Sequence, residues 1–276
     1  MEKEKIFELL NKYKRTLEDK GYNVIYIGLY GSQNYNLDDE ESDIDCKAII
    51  LPTLHNIIFR KVTSTTIECD EGNIDVKDLI TYYDVIKKGN FSFVEAIDTD
   101  YWLGDIYIKR LLSRFRPNRK SILGGMYEKR KALTHEYPSK KAEFEKWGCD
   151  PKQYHHILRL CDLLSFRDNP SYIAYPEHYA QEMIDIKRNK NNLTKEFMEE
   201  HSDRIIEKAK KLIPEDYEYI YENLDTEISE YIEDNIKAEL NRLQNKEKVD
   251  RLVEKLQEQY KQGYQDGYMA GTTERI

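Results

Sequence analysis

The sequence predicts an α+β protein in which a small mixed-sheet domain, residues 1–105, precedes an all-helical domain, residues 106–225, and a charged helical tail, residues 226–276. Short apolar runs rich in β-branched and aromatic residues, which are typical of strands, cluster before residue 105. Beyond that point, prolines at 117, 138, 151, 170, 176 and 214 separate segments with helical periodicity.

The first domain is predicted to alternate helices and strands. In chain order we expect a helix at 3–20, strands at 24–30 and 43–51, a short helix at 55–60, strands at 62–68 and 73–77, and a helix from 79 that ends at 89–90. Asp78 directly precedes the last of these helices, where an aspartate side chain can accept hydrogen bonds from free backbone N–H groups. We therefore expect Asp78 to be a helix cap.

The rest of the chain is predicted to be helical. The expected helices lie near 106–115, 119–134, 139–147, 151–168, 176–188, 194–211 and 215–260. In the last of them, apolar residues recur at helical or heptad steps, and glycines follow at 263, 267 and 271. Two interpretations stay open: a homo-oligomer in which C-terminal helices approach closely, or a frayed tail weakened by glycine.

Composition and charge limit the classes of function. The net charge of −9 gives no overall attraction to nucleic acid. The four cysteines form neither a C-x-x-C pair nor a zinc-binding spacing, which favours reduced thiols in a cytoplasmic protein. The N-terminus has no apolar leader and the chain has no apolar run of membrane-spanning length, so we expect a soluble protein that does not contact a membrane.

The chemistry-bearing stretch runs from residue 28 to residue 51. The strand at 24–30 stops at Gly31-Ser32, a flexible turn whose backbone N–H groups are suited to cradle a phosphate. If the next segment is a strand from Asp43, then Asp43, Asp45 and Lys47 share one face. Two carboxylates on one face raise each other's pKa unless a cation lies between them. A hard divalent ion with oxygen ligands is the simplest solution.

This pattern resembles the signature of the DNA polymerase β-like nucleotidyltransferase superfamily. Within it, the chain is most similar to the predicted nucleotidyltransferases grouped with the RNA-repair-pathway polymerase β-like family, which has phage and bacterial members. Further matching segments lie at 74–78, 88–95 and 148–159, so the resemblance spans about residues 20 to 190. Asn36 departs from the pattern, because the superfamily often has a second glycine there. Asparagine also tolerates left-handed backbone angles, so the turn can survive.

The resemblance implies a metal-dependent enzyme that moves a nucleoside monophosphate from a nucleoside triphosphate, such as ATP, to a hydroxyl acceptor. The acceptor stays open among an RNA 3′ end, a protein side chain and a small molecule. Two Mg²⁺ or Mn²⁺ ions would be bound by Asp43, Asp45 and Asp75, which would also be the catalytic residues. Asp70 and Asp78 are the alternatives to Asp75 as third carboxylate.

The implied nucleotide-binding residues come from three parts of the chain: Gly31, Ser32, Lys47, His155, His156 and Arg159. Lys47 either contacts a phosphate or pairs with an aspartate. The cluster that begins at Lys152 on the helix after Pro151 either contacts the triphosphate or acceptor, or is an exposed polar face with one histidine bonded at a domain boundary. The basic segment 129–131, with His135, is interpreted as a solvated helix face.

A non-catalytic relative is the alternative from another functional class. Such a protein would bind a nucleotide or serve as a partner subunit. Its expected mark is the loss of a carboxylate or of the glycine–serine turn, and both are intact in this sequence.

Overall fold

The computed structural model describes residues 3–40, 42–166, 168 and 170–273. Contacts between residues group the chain into two compact units, Met1–Asn223 and Leu224–Ile276. The first unit combines a mixed sheet with helices, and the described part of the second is one long helix. The predicted α+β class is therefore confirmed, while the division into three domains stays a prediction.

The first unit contains five strands and eleven α-helices among its described residues. Strands are β1 (Val24–Tyr30), β2 (Asp45–Ile50), β3 (Ser64–Cys69), β4 (Gly72–Asp78) and β5 (Trp102–Gly104). Helices are α1 (Lys3–Asp19), α2 (Ser32–Tyr35), α3 (Leu54–Ile58), α4 (Leu79–Ile86), α5 (Phe91–Asp98), α6 (Ile106–Leu112), α7 (Arg119–Leu133), α8 (Lys141–Trp147), α9 (Pro151–Ser165), α10 (Glu177–Lys187) and α11 (Lys195–Lys211). A 3₁₀ turn at Pro138–Lys140 precedes α8, and the second unit contains α12 (Asp225–Thr273).

The sheet has the strand order β3-β4-β2-β1-β5. The strands β2 and β4 are parallel, and the other neighbouring pairs are antiparallel. The register pairs Tyr30 with Asp45 and Lys47 with Asp75. Because paired residues direct their side chains to the same face of a sheet, these four side chains share one face.

The other face of the sheet is apolar and packs against α1. The predicted first helix is confirmed, and its buried residues form one apolar stripe: Ile6, Leu9, Leu10, Tyr13 and Leu17. They join a core with alternate residues of the strands, including Ile44, Cys46, Ala48 and Ile50. The period-2 alternation predicted for β2 is thus confirmed on its core side.

The helices after β5 pack around α9, which contacts α7, α10 and α11. Their apolar core consists of Ile122, Met126, Ile157, Leu160, Leu163, Leu164, Ile205, Ile206 and Ala209. A smaller cluster joins α2 to α10 through Tyr35, Leu37, Tyr175 and Met183. The helical part therefore lies directly beside the turn that follows β1.

Three expectations about the elements were wrong. The strand β2 begins at Asp45, so Asp43 precedes it and is exposed. The last helix begins at Asp225 and not near 215, because the tyrosines of the segment 217–221 contact the 115–119 region from a non-helical backbone. The sequence prediction also omitted α5 and β5.

The heptad-like spacing predicted for the last helix includes Val249, Leu252 and Leu256, whose side chains lie outside the described set. The backbone of α12 continues to Thr273 and includes the three glycines at 263, 267 and 271. Among the described residues, no helix combines the length and apolarity needed to cross a membrane.

Candidate active site

The turn after β1 has the backbone conformation that its residues predict. Gly31 has φ 99°, a region that favours glycine, and Ser32 then begins α2. Asn36 ends α2 with φ 60° in the left-handed region, and its side chain donates to the Tyr175 carbonyl at 3.1 Å. The expectation that Asn36 can adopt left-handed backbone angles in this turn is confirmed.

The Gly31 N–H is already bound by a residue that the sequence analysis missed. It donates to Oε1 of Glu95 on α5 at 2.9 Å, and Glu95 is only 1% exposed. The Tyr35 hydroxyl donates a short hydrogen bond to the same carboxylate. Burial raises the pKa of Glu95, while the charge of Arg159 and the Gly31 N–H act in the opposite direction. Two signals were available: Glu95 ends the matching segment 88–95, and it interrupts the apolar run from Phe93 to Ile97.

This bond changes what the turn offers to an anion. With its N–H donated to Glu95, Gly31 has no free amide for a phosphate in this arrangement. The Ser32 hydroxyl is half-buried and has no hydrogen-bond partner among the described residues. The Ser32 hydroxyl therefore remains available to a ligand, whereas the Gly31 amide does not.

The two aspartates of the Asp-x-Asp motif lie next to this turn. Asp45 pairs with Tyr30, the last residue of β1, and its Oδ1 accepts from the Asn73 N–H at 3.1 Å. Burial raises the pKa of Asp45, and repulsion from Asp43 adds to the rise, whereas the Asn73 hydrogen bond and the charge of Lys152 oppose it. Repulsion from Asp43, expected from the spacing of the two residues, therefore contributes to the raised pKa of Asp45.

Asp75 faces the same side of the sheet but has cationic partners. The Lys47 ammonium donates to its Oδ2 at 2.9 Å, and Lys77 approaches its Oδ1 at 3.4 Å. Lys47 is 4% exposed and lies 4.2 Å from the Tyr30 ring centroid and 4.1 Å from that of Phe93. Burial lowers the pKa of Lys47, and Asp75 acts in the opposite direction. Of the two interpretations of Lys47, pairing with an aspartate describes its contacts.

The two alternatives to Asp75 have other surroundings. Asp78 is the predicted helix cap, since its carboxylate accepts from the Thr81 N–H at 2.8 Å and the Thr63 N–H at 2.6 Å. Asp70 is 91% exposed and lies 3.5 Å from Lys12. Asp45 and Asp75, in contrast, both line a polar cleft of about 570 Å³ on the sheet face, together with Tyr30, Ser64, Thr65, Thr66, Asn73 and Lys77.

A second group of polar side chains comes from α9. Its N-cap is Asp150, whose carboxylate accepts from the Lys152 N–H at 3.1 Å. His155 and Arg159 are 3% and 7% exposed, and the guanidinium carbon of Arg159 lies 4.0 Å from the Tyr35 ring centroid. Both ring nitrogens of His155 and Nε of Arg159 are buried without a hydrogen-bond partner among the described residues.

His155 lies among cationic side chains. Burial lowers the pKa of His155 to about 3, and the charges of Arg159 and Lys187 act in the same direction, so His155 is neutral at pH 7. Burial likewise lowers the pKa of the neighbouring His156. Lys129 is half-buried, and its pKa is lowered by burial and then by Arg159. In the segment expected to be a solvated helix face, Lys131 and His135 are exposed, whereas Lys129 and Arg130 are half-buried where α7 packs against its neighbours.

The loop that carries Asp43 is held by α10 and the residue after it. Arg188 contacts both carboxylate oxygens of Asp39, at 2.8 and 2.6 Å, and Lys187 lies 3.2 Å from Asp39. Burial alone would raise the pKa of Asp39, but the hydrogen bonds from Arg188 and Ser42 outweigh it and hold that pKa well below its usual range. The approach to β2 is thus fixed by charge-assisted bonds.

Of the three predicted carboxylate ligands, two suit a divalent cation and one does not. No group of three or more His, Cys, Asp or Glu side chains suited to a metal ion occurs in the described part of the chain. Asp43 and Asp45 do fit such an ion, since their carboxylates repel each other and neither has an ion pair with a described residue. Asp75 does not, because two ammonium groups already neutralise it.

Comparisons with known proteins identify no family for this chain. No family model and no curated protein matches the chain. Among solved structures, a nucleotidyltransferase-like protein from Exiguobacterium sibiricum is similar at 14% identity over 72% of each chain, with a TM-score of 0.24. A similarity of this size is too low to support a statement about fold or activity.

Proposed function

We propose that the chain is a metal-dependent nucleotidyltransferase that moves a nucleoside monophosphate from a nucleoside triphosphate to a hydroxyl acceptor. One observation carries the proposal. Among the described residues, the Asp43 and Asp45 carboxylates form no ion pair, the neighbouring Ser32 hydroxyl has no hydrogen-bond partner, and neither has Nε of the buried Arg159. A nucleoside triphosphate together with a divalent cation would supply partners for all of these groups.

The anion is argued from Arg159. Nε of Arg159 is buried and has no hydrogen-bond partner among the described residues, which is costly, since a charged donor there loses water without gaining a partner. Arg159 lies on the ring of Tyr35, three residues after Ser32. A phosphate bound between Ser32 and Arg159 would satisfy both. Neutral His155 and His156 can donate or accept one hydrogen bond at each ring nitrogen, which suits phosphate oxygens.

The cation is argued from Asp43 and Asp45. Mg²⁺ or Mn²⁺ bound to these carboxylates would remove their repulsion, and its chemistry is to stabilise negative charge on phosphate oxygens during displacement. In the reaction, the acceptor oxygen forms a bond to the α-phosphorus while the bond to pyrophosphate breaks. The acceptor proton passes to a base, and Asp75, which faces the cleft, is the candidate.

The acceptor is open among an RNA 3′ end, a protein side chain and a small molecule. The cleft beside Asp45 and Asp75 is lined by hydroxyl, amide and carboxylate groups, with Lys77 as its one cationic lining residue among the described residues. Lys77 is bound to Asp75. Such a lining suits a polar acceptor group but offers no phosphate-tracking stripe.

Two contacts favour the second candidate, a non-catalytic nucleotide-binding subunit. The Gly31 N–H donates to Glu95, and the Lys47 ammonium donates to Asp75. In a catalytic protein both contacts would have to be compatible with bound substrate. Activity measurements separate the two candidates directly.

The test is incubation of the purified chain with cell extract, Mg²⁺ and each α-³²P-labelled nucleoside triphosphate in turn. We expect label from at least one nucleotide to enter the RNA, protein or small-molecule fraction. Asp45→Asn should abolish this transfer. Asp70→Asn, the same chemical change at an exposed aspartate, is the matched control and should transfer label like the wild type. Nucleotide binding without any transfer would favour the non-catalytic subunit.

A further inference from the structure

The cationic partners of Asp75 bear on how many metal ions the site holds. The Asp75 carboxylate is 24% exposed and contacts Lys47 through one oxygen and Lys77 near the other. Lys77 is itself fixed, because its ammonium donates to the Ser64 hydroxyl at 2.7 Å. Both oxygens of Asp75 therefore face an ammonium group.

The Lys47 side chain is enclosed, which keeps its ammonium group beside Asp75. Its ammonium is enclosed between the rings of Tyr30 and Phe93, each about 4 Å away, and the residue is 4% exposed. A divalent cation bound to Asp75 would lie within a few ångströms of this ammonium in a poorly solvated region. Repulsion between like charges is strong there, since it scales inversely with both distance and dielectric constant.

Asp43 and Asp45 present the opposite situation. No ammonium or guanidinium group of the described residues forms an ion pair with either carboxylate. Asp43 is exposed and Asp45 half-buried, so a cation can reach both from solvent. Asp43 and Asp45 thus form no ion pair with a described residue, whereas Asp75 forms two.

We propose that the site holds a single divalent cation, on Asp43 and Asp45, and that Lys47 and Lys77 are the counter-ions of Asp75 in place of a second cation. This inference rests on the proposed function and refines it. It replaces the two-ion arrangement that the resemblance implies with one divalent ion and two ammonium groups. Asp75 then serves the acceptor side of the cleft as a carboxylate with no bond to metal.

The test is to count bound Mn²⁺ by electron paramagnetic resonance, in which free aqueous Mn²⁺ gives the signal and bound ion is lost from it. The titrated proteins are the wild type, Asp43→Asn, Asp75→Asn and the double variant Lys47→Met/Asp75→Asn. The double variant guards against misfolding, because it removes both charges of the enclosed pair and keeps the side-chain length. Melting curves verify that each protein is folded.

We expect one Mn²⁺ per chain for the wild type and for both Asp75 variants, with dissociation constants within about threefold of one another. Asp43→Asn should weaken that binding at least about tenfold, as expected for loss of one of two charged ligands. Loss of an ion in the Asp75 variants, or two ions in the wild type, would overturn the inference and leave the proposed function intact. A folded wild type that binds no Mn²⁺ would overturn the inference and the metal dependence together.

Discussion

Removing Asp75 should destabilise the protein more than removing its partner Lys47. In Asp75→Asn the enclosed Lys47 ammonium loses its anion, and breaking a buried ion pair in this way costs about 3–5 kcal/mol. In Lys47→Met the remaining carboxylate is partly exposed and keeps Lys77 at 3.4 Å, so we expect a loss of about 1–2 kcal/mol. The double variant should lie within about 1 kcal/mol of the wild type, because no unpaired buried charge remains.

The measurement is the melting temperature of the four proteins. For a unit of this size, 1 kcal/mol corresponds to about 2–4 °C, so Asp75→Asn should melt roughly 6–20 °C below the wild type. The effect should depend on pH. Burial already lowers the folded pKa of Lys47 below its unfolded value, and losing Asp75 lowers it further. The folded variant then binds fewer protons than the unfolded chain, so its stability rises with pH.

We therefore expect the gap between Asp75→Asn and the wild type to be smaller at pH 9.5 than at pH 7. Equal melting temperatures for Asp75→Asn and the wild type would refute the enclosed pair. So would additive effects of the two substitutions in the double variant, since groups in direct contact should couple.

Three further outcomes test the proposed nucleotide site. Mn²⁺ should raise the melting temperature of the wild type and of Asp70→Asn but not that of Asp43→Asn or Asp45→Asn, because selective binding to the folded state requires the carboxylate pair; equal shifts in all four would contradict the cation site. Ser32→Ala should weaken nucleoside triphosphate use by about one to two orders of magnitude, the value of one charge-assisted hydrogen bond, with Mn²⁺ binding preserved; unchanged titration of nucleotide would remove Ser32 from the site. Arg159→Lys should reduce turnover by about tenfold or more with little change in melting temperature, since lysine keeps the charge but not the planar fork; a large loss of stability with normal turnover in the folded fraction would make Arg159 a structural residue.

Much of the local structure could be predicted from short stretches of sequence. The apolar stripe of α1, the cap at Asp78 and the left-handed turn at Asn36 each depend on residues within a few positions of one another. Such features follow from helical periodicity, side-chain capping and backbone preference, which act before any tertiary contact forms. The same holds for the alternation that directs Asp45 and Lys47 to one face of β2.

Where local patterns were ambiguous, the prediction was wrong. Residues 215–224 resemble a helix by composition, but the tyrosines at 217, 219 and 221 alternate, which is the period of an extended chain. Tertiary contacts settle the matter: Tyr217 accepts a hydrogen bond from the Arg119 N–H, and Tyr219 donates to the Arg116 carbonyl. The short strand β5 was omitted for a related reason, since its backbone bonds are to β1.

By itself, the sequence determined the α+β class, the turn after β1 and the pair of aspartates beside it, because these depend on the order of neighbouring residues. Only the tertiary structure decided what each charged group contacts. Glu95 reaches Gly31 across 64 positions, and Asp75 reaches Lys47 across 28. Burial makes such contacts decisive: a charge removed from water must find a partner, and strand order and helix packing choose which partner is within reach.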